Sequence, residues 1–246
     1  MTLLSIVQDA CAEIGAIATP TAVVSNTDET VARMFALIKR EGEDLIKTDW
    51  TILQRLHTFT TVNGTSEYSL PADYARMITS TGWDRSISSR MYGPLSPQEW
   101  QEVTSGLIGL GIYGRRFRIV RSFVSGVSRK FVITPTPTSA DDDQTLAFEY
   151  ISTYYCASSG GTAQATWTAD TDVPICDEEL FRKGLVVRFK RSVGLDYASD
   201  AAEYAEMLAF KKAADRPAPV LNIAPRRLFP TTSDIGGAST DGALLV

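Results

Sequence analysis

One histidine and three cysteines are all that 246 residues offer of the groups most used in metal binding and nucleophilic catalysis. Cys11, Cys156 and Cys176 form no CxxC pair and leave an odd thiol, so neither a disulfide framework nor a zinc site is indicated. Reduced, partly buried thiols are expected. His57 has no nucleophile motif such as GxSxG near it, which leaves it a structural or surface histidine rather than a general base. Positive charge is not in excess either. A net charge of -5 and an isoelectric point near 5.0 argue against a protein that grips a phosphate backbone, work that needs Lys and Arg clustered on one face, and leave room only for local basic patches. No apolar run approaches the roughly 20 residues of a membrane span. Met1-Thr2-Leu3-Leu4-Ser5 lacks the basic start of a secretory signal, and Gln8, Asp9 and Glu13 interrupt the apolar stretch, so the chain is expected to stay in the cytosol where it is made.

What is present is an ordinary globular composition, 44% hydrophobic and 22% charged, enough to bury a core in one or two domains. Leu3, Leu4, Ile6, Val7, Ala10, Cys11 and Ile14 recur at helical spacing, predicting a helix over 3–17 that ends at Gly15 and Pro20. Asn26 with Glu29 makes a capping-box pattern for a helix over 27–48, with Val31, Phe35, Ile38, Leu45 and Ile46 inward. From Trp50 the pattern turns to β-branched and aromatic residues. Asn63-Gly64 between Phe59–Val62 and Tyr68–Leu70 predicts a tight hairpin. Pro71 to Met77 reads as a short helical corner, and Ser96-Pro97 opens another short helix. Strands are predicted at 117–120, 130–134 and 145–154, the last with Leu146, Phe148 and Tyr150 on one face. Residues 157–171, rich in Gly, Ser, Thr and Ala, read as a mobile loop. Asp177-Glu178-Glu179 starts a helix whose buried residues are expected to be Leu180, Phe181, Val187, Phe189 and Val193. After Gly194–Tyr197 and a Ser199 cap, a last helix spans 200–214 and Pro217 ends it. Beyond Arg216, Pro217, Pro219, Pro225 and Pro230 leave a segment that needs a partner to become ordered.

The fold class is therefore α+β. Helical blocks at 1–49 and 176–215 flank an inserted antiparallel β domain, 50–175, and 216–246 is an extended C-terminal tail. Chemistry-bearing groups are few. Asp141, Asp142 and Asp143 lack the alternating ligands and glycine of a calcium loop and read as a solvated turn or surface charge. Asp170, Asp172, Glu178 and Glu179 could pair for acid–base work, but helix capping explains the latter two. Gly109–Gly114 lacks the GxGxxG spacing of a phosphate loop and reads as a connector. Arg115, Arg116, Arg118 and Arg121 with Phe117 and Phe123 could meet nucleic acid. Alternation sets Arg116 and Arg118 opposite Phe117 and Ile119, as in a half-buried strand, so subunit ion pairing or solvation is the preferred reading. No catalytic, cofactor or metal site is assigned.

Several segments taken in order resemble the head-to-tail adaptor proteins of tailed bacteriophages, the family of the tail accessory factor and tubular-tail adaptor of short-tailed phages. They are Leu3 to Gly15, Tyr68-Ser69-Leu70-Pro71-Ala72-Asp73-Tyr74, Ile133 to Pro137, Phe148-Glu149-Tyr150-Ile151 and the helix pair hinged at Gly194-Leu195-Asp196-Tyr197. The resemblance implies a helical bundle formed by the N- and C-terminal helices, 1–49 with 176–215, from which the β domain projects, in a virion protein forming a ring, usually a dodecamer, that docks beneath the portal protein and gives the tail nozzle, spikes or fibres a landing surface. Genomic DNA would pass its channel without sequence-specific binding. Arg226, Arg227, Leu228 and Phe229 are the expected tail anchors on portal or a neighbouring subunit, since arginine and aromatic residues dominate interfaces. The alternatives are a tail-fibre or spike attachment protein, and a cell-wall hydrolase using Asp172 or Glu178.

Overall fold

Thr2 and Ser5 exchange hydrogen bonds across a capping box and start α1, Leu3–Ile14, in this computed structural model, which describes residues 1–15, 17–105, 114–121 and 129–215. The described residues fall in one unit, Met1–Asp215; Arg216–Val246 is a second unit outside them. The tail anchors Arg226 to Phe229, the connector residues 109–113 and Phe123 therefore also lie outside the described residues.

Among the described residues α1 is followed by α2, Glu29–Leu45, and the short α3, Pro97–Ser105; α4, Glu178–Val193, and α5, Ala198–Asp215, close the unit. Helix α4 packs against α1, α2 and α5. Leu3, Ile6, Val7 and Ala10 of α1, Met34 and Ile38 of α2, and Leu180, Phe181 and Leu185 of α4 share one buried cluster. The spacing expectations needed four local corrections. Helix α2 is capped by Asp28, whose carboxylate accepts from the amides of Thr30 and Val31, while Asn26 instead accepts from Asp28. In α4 the buried valine is Val186, whereas Val193 is 48% exposed. Helix α5 begins two residues earlier than expected, with the Asp196 carboxylate, not Ser199, accepting from the Ala198 amide. The first helix stops at Ile14, where Gly15 takes a left-handed φ of 72°.

The strands form three antiparallel sheets. In the largest, β8 (Thr145–Ser152) pairs on one side with β1 (Gln54–Thr60). On the other side it pairs with β3 (Tyr74–Met77) and β4 (Trp83–Asp84), the latter extended by β5 (Ser89–Arg90). The second has the order β2 (Glu67–Ser69), β7 (Lys130–Thr134), β6 (Arg116–Val120). The expected hairpin is thus half right. Val62 accepts from the Thr65 amide around Asn63-Gly64, but β1 pairs with β8 and β2 with β7. The predicted helical corner at 71–77 is a turn followed by β3. These two sheets face each other through aromatic rings: Phe131 lies 5.1 Å from Phe148 at 1°, and Phe117 lies 4.6 Å from Phe131.

Strand β8 is shared by both cores. Leu146, Phe148 and Tyr150 enter the sheet-to-sheet cluster, while Ile151, on the opposite face, enters the helical one. The predicted loop at 157–171 holds structure of its own, because β9 (Cys156–Ala157) pairs with β10 (Ala163–Gln164) and β11 (Val173–Pro174). Trp167, 2% exposed, anchors it edge-on against Phe181 of α4.

Candidate interface surfaces

The carboxylates singled out for acid–base work hold the fold together. Asp172, 1% exposed, accepts from the Thr168 and Ala169 amides, and Asp170 accepts from those of Val23 and Val24. Their main-chain carbonyls accept from the Leu3 and Leu4 amides at 2.7 and 3.1 Å, groups that a helix start leaves unpaired. Glu178 pairs with the Met1 amino group. The Asp170 and Asp172 carboxylates are therefore spent on the segment after α1 and on their own loop, while their carbonyls anchor the start of α1.

The acid triplet is equally engaged. Asp141 caps a turn at Thr138 and lies 3.6 Å from the Arg115 guanidinium, and the Thr138 hydroxyl and amide hold its carboxyl below the usual range. Asp142 accepts from the Asn63 amide, and Asp143 takes a positive φ of 56°. Both remain exposed, in keeping with a solvated turn. Among the described residues no group of three or more His, Cys, Asp or Glu is placed to hold a metal ion.

Of the arginines, Arg115 differs from the sequence expectation. It is 5% exposed and donates to Asp84, itself 1% exposed, at 2.9 Å, with Gln144 at 2.5 Å. A basic patch counted from sequence loses this charge to the interior. Arg116 and Arg118 lie on β6, half-buried, opposite the buried Phe117, and the Arg118 guanidinium sits 5.2 Å from the Trp100 ring of α3. His57 on β1 is half-buried against Phe59 and Phe148, and burial pushes its pKa down against an opposing pull from Asp73. The thiols of Cys156 and Cys176 are pushed up to about 12, mainly by burial.

A second buried charge cluster escaped sequence reasoning. Glu41 of α2, 1% exposed, accepts from Arg188 of α4 and from the Tyr204 hydroxyl of α5, and Arg188 also reaches Asp44 at 2.5 Å. Burial opposes the Arg188 charge, but the two carboxylates outweigh it and hold its pKa up; burial and Glu41 together raise that of Tyr204. One carboxylate so ties three helices. Glu41 stands at the inward position of an otherwise apolar stripe, which is the signal that could have found it.

With the charged groups paired inside, the surface features left are apolar. An open groove of about 410 Å³ lies at the α4–α5 corner, lined by Ile17, Glu29, Thr30, Arg33, Phe189, Val193 and Leu195. Val193 and Leu195 are 48% and 43% exposed there. Phe210 on α5 is 70% exposed. Among the described residues strand β1 is an edge of its sheet, pairing with β8 alone, and carries Leu56 at 54% exposure.

The described residues form a mixed α+β body in which the carboxylates and arginines named above pair inside, while Val193, Leu195, Phe210 and Leu56 are exposed at the surface. The chain belongs to the SU10 adaptor protein family, which matches residues 1–227. It is therefore a bacteriophage structural adaptor, as its resemblance to head-to-tail adaptors implied. Membership makes it a component of the virion and implies dealings with portal and tail proteins in general. No curated protein matches the chain. Among the described residues no helix is long and apolar enough to cross a membrane.

Proposed function

We propose that this adaptor is a ring-forming connector between portal and tail, with a central channel through which the genome leaves. The observation that carries the reading is the family match over residues 1–227. The convergence of α1, α2 and α5 on α4 supports it, because a braced helical body is what a load-bearing ring subunit requires. In this reading residues 1–49 and 176–215 make a bundle at the ring, 50–175 project as a β domain toward the tail nozzle, spikes or fibres, and 216–246 reach the portal. A dodecamer is the expected stoichiometry. Subunits related by heterologous contacts close into a ring when the rotation closes.

The family match stops at Arg227, so it takes in the proposed anchors Arg226 and Arg227 and leaves out Leu228 and Phe229. Arg116 and Arg118 are proposed as subunit contacts, and Asp141, Asp142 and Asp143 as charges facing the channel or solvent. A net charge of -5 suits a lumen through which DNA slides without sticking. Removing residues 217–246 is expected to leave folding intact and abolish docking to the portal protein of the same phage. Co-sedimentation of the truncated chain with portal, equal to that of the full chain, would remove the anchoring role of the tail.

A further inference from the structure

The knob at Phe210 and the groove at Val193 and Leu195 are two apolar features at different places on one chain, and neither has a partner of matching shape among the described residues. Lys211, next to Phe210, donates to Asp177 at the start of α4, and Asp200 at the start of α5 pairs with Lys190 near the end of α4, so the two helices run antiparallel. Phe210 therefore lies beside the beginning of α4 and the groove beside its end, about 24 Å apart along a 16-residue helix. Phe210 cannot reach the groove of its own chain. A knob and a recess so separated are satisfied by a neighbour, in a heterologous contact.

Charge agrees with shape. Glu206 stands four residues before Phe210 on the same face of α5 and makes no ion pair among the described residues. Arg33 lines the groove, 46% exposed, held only by Glu29 in an exposed helical pair of the kind that contributes little. The next recess along the α2–α4 crease is lined by Arg40 and Arg191, beside Arg188, whose charge is already met by Glu41 and Asp44. The knob thus has an acidic flank and the groove a basic one, apart from Glu29. Ala202, Ala205, Ala209 and Ala213, exposed on α5, let another backbone come close.

We infer that α5 of one copy seats Phe210 in the groove formed by Arg33, Phe189, Val193 and Leu195 of the next copy, with Glu206 against Arg33. The partner is a second copy of this chain, and the contact repeats head to tail. This rests on the ring reading above and names the surface that would build the ring.

The test uses the full chain at high concentration, where wild-type assembly is followed by mass. Its native thiols are buried, so cysteines introduced at exposed positions are the ones that react. The Phe210→Cys/Val193→Cys protein, oxidised, is expected to give a ladder of covalent multimers. A mixture of the two single variants gives dimers, and neither single variant alone does. Glu206→Arg and Arg33→Glu are each expected to weaken self-association about tenfold, and their combination to restore it. Three results overturn the proposal: dimers from Phe210→Cys alone, no crosslink in a double variant whose wild type assembles, or no rescue by the combined charge swap. A Phe210→Cys product containing the portal protein and no second copy would give the knob to the portal and overturn it too. If wild-type mass stays that of a monomer at millimolar concentration and with portal, the ring reading falls with it; assembly without the crosslink leaves the ring and removes only this contact.

Discussion

His57 is held between Phe59 and Phe148 at ring distances of 5.7 and 5.3 Å, with Asp73 as the charged group acting on it. Burial outweighs Asp73 and puts its folded-state pKa below the roughly 6.5 of an unfolded chain. The unfolded chain then takes up the proton first, so stability is full above about pH 6.5 and falls as the pH drops toward the folded value. Replacing His57 by Phe keeps the ring contacts and removes the titration. Thermal melts at pH 7 and pH 5 are expected to show a larger loss for the wild type than for the variant, the carboxylates being common to both; equal losses would refute the burial argument. At this scale the sequence was legible in part even for local contacts, since the Ser96 cap stands where it was expected while those expected of Asn26 and Ser199 fall to Asp28 and Asp196. Ser96 accepts from the Glu99 amide while Glu99 accepts from that of Ser96, as the motif implied. It was silent where the partner is distant, as with Arg115, whose Asp84 lies 31 residues away.

Helix α4 crosses α2 at Gly184, where an added Cβ would come within 2.4 Å of the Glu41 carboxyl carbon. Glycine inside a helix ordinarily costs roughly 0.5–1 kcal/mol relative to alanine, so Gly184→Ala on an exposed face would stabilise. Here the sign reverses. Overpacking and displacement of the Glu41–Arg188–Tyr204 cluster are expected to cost about 1–3 kcal/mol, read as a lower urea midpoint at unchanged slope. A raised midpoint would mean that the crossing is looser than described. The elements themselves were largely legible, because helical spacing and turn residues are local properties. Pairing was not. Asn63-Gly64 makes its turn, yet β1 finds β8 about 90 residues on, since β8 alone offers Leu146, Phe148 and Tyr150 to one core and Ile151 to the other. Likewise the period of α4 marks an apolar face without telling how far a neighbour covers it, which is why Val193 is exposed.

For the whole molecule, the ion pairs at Arg115 and Glu41 and the aromatic stack between sheets tie the described elements of one subunit together. The family was legible from scattered short segments, because their order along the chain is harder to match by chance than any one of them. The interface was less so, because surface exposure is decided by neighbours and by partners, not by spacing. The central claim is that copies of this chain close into a ring. Negative-stain imaging with mass measurement of the full-length protein, at high concentration and mixed with its portal protein, tests it most directly. Closed rings of uniform subunit number seated on the portal are the predicted result, and monomers that stay monomeric under both conditions would contradict it.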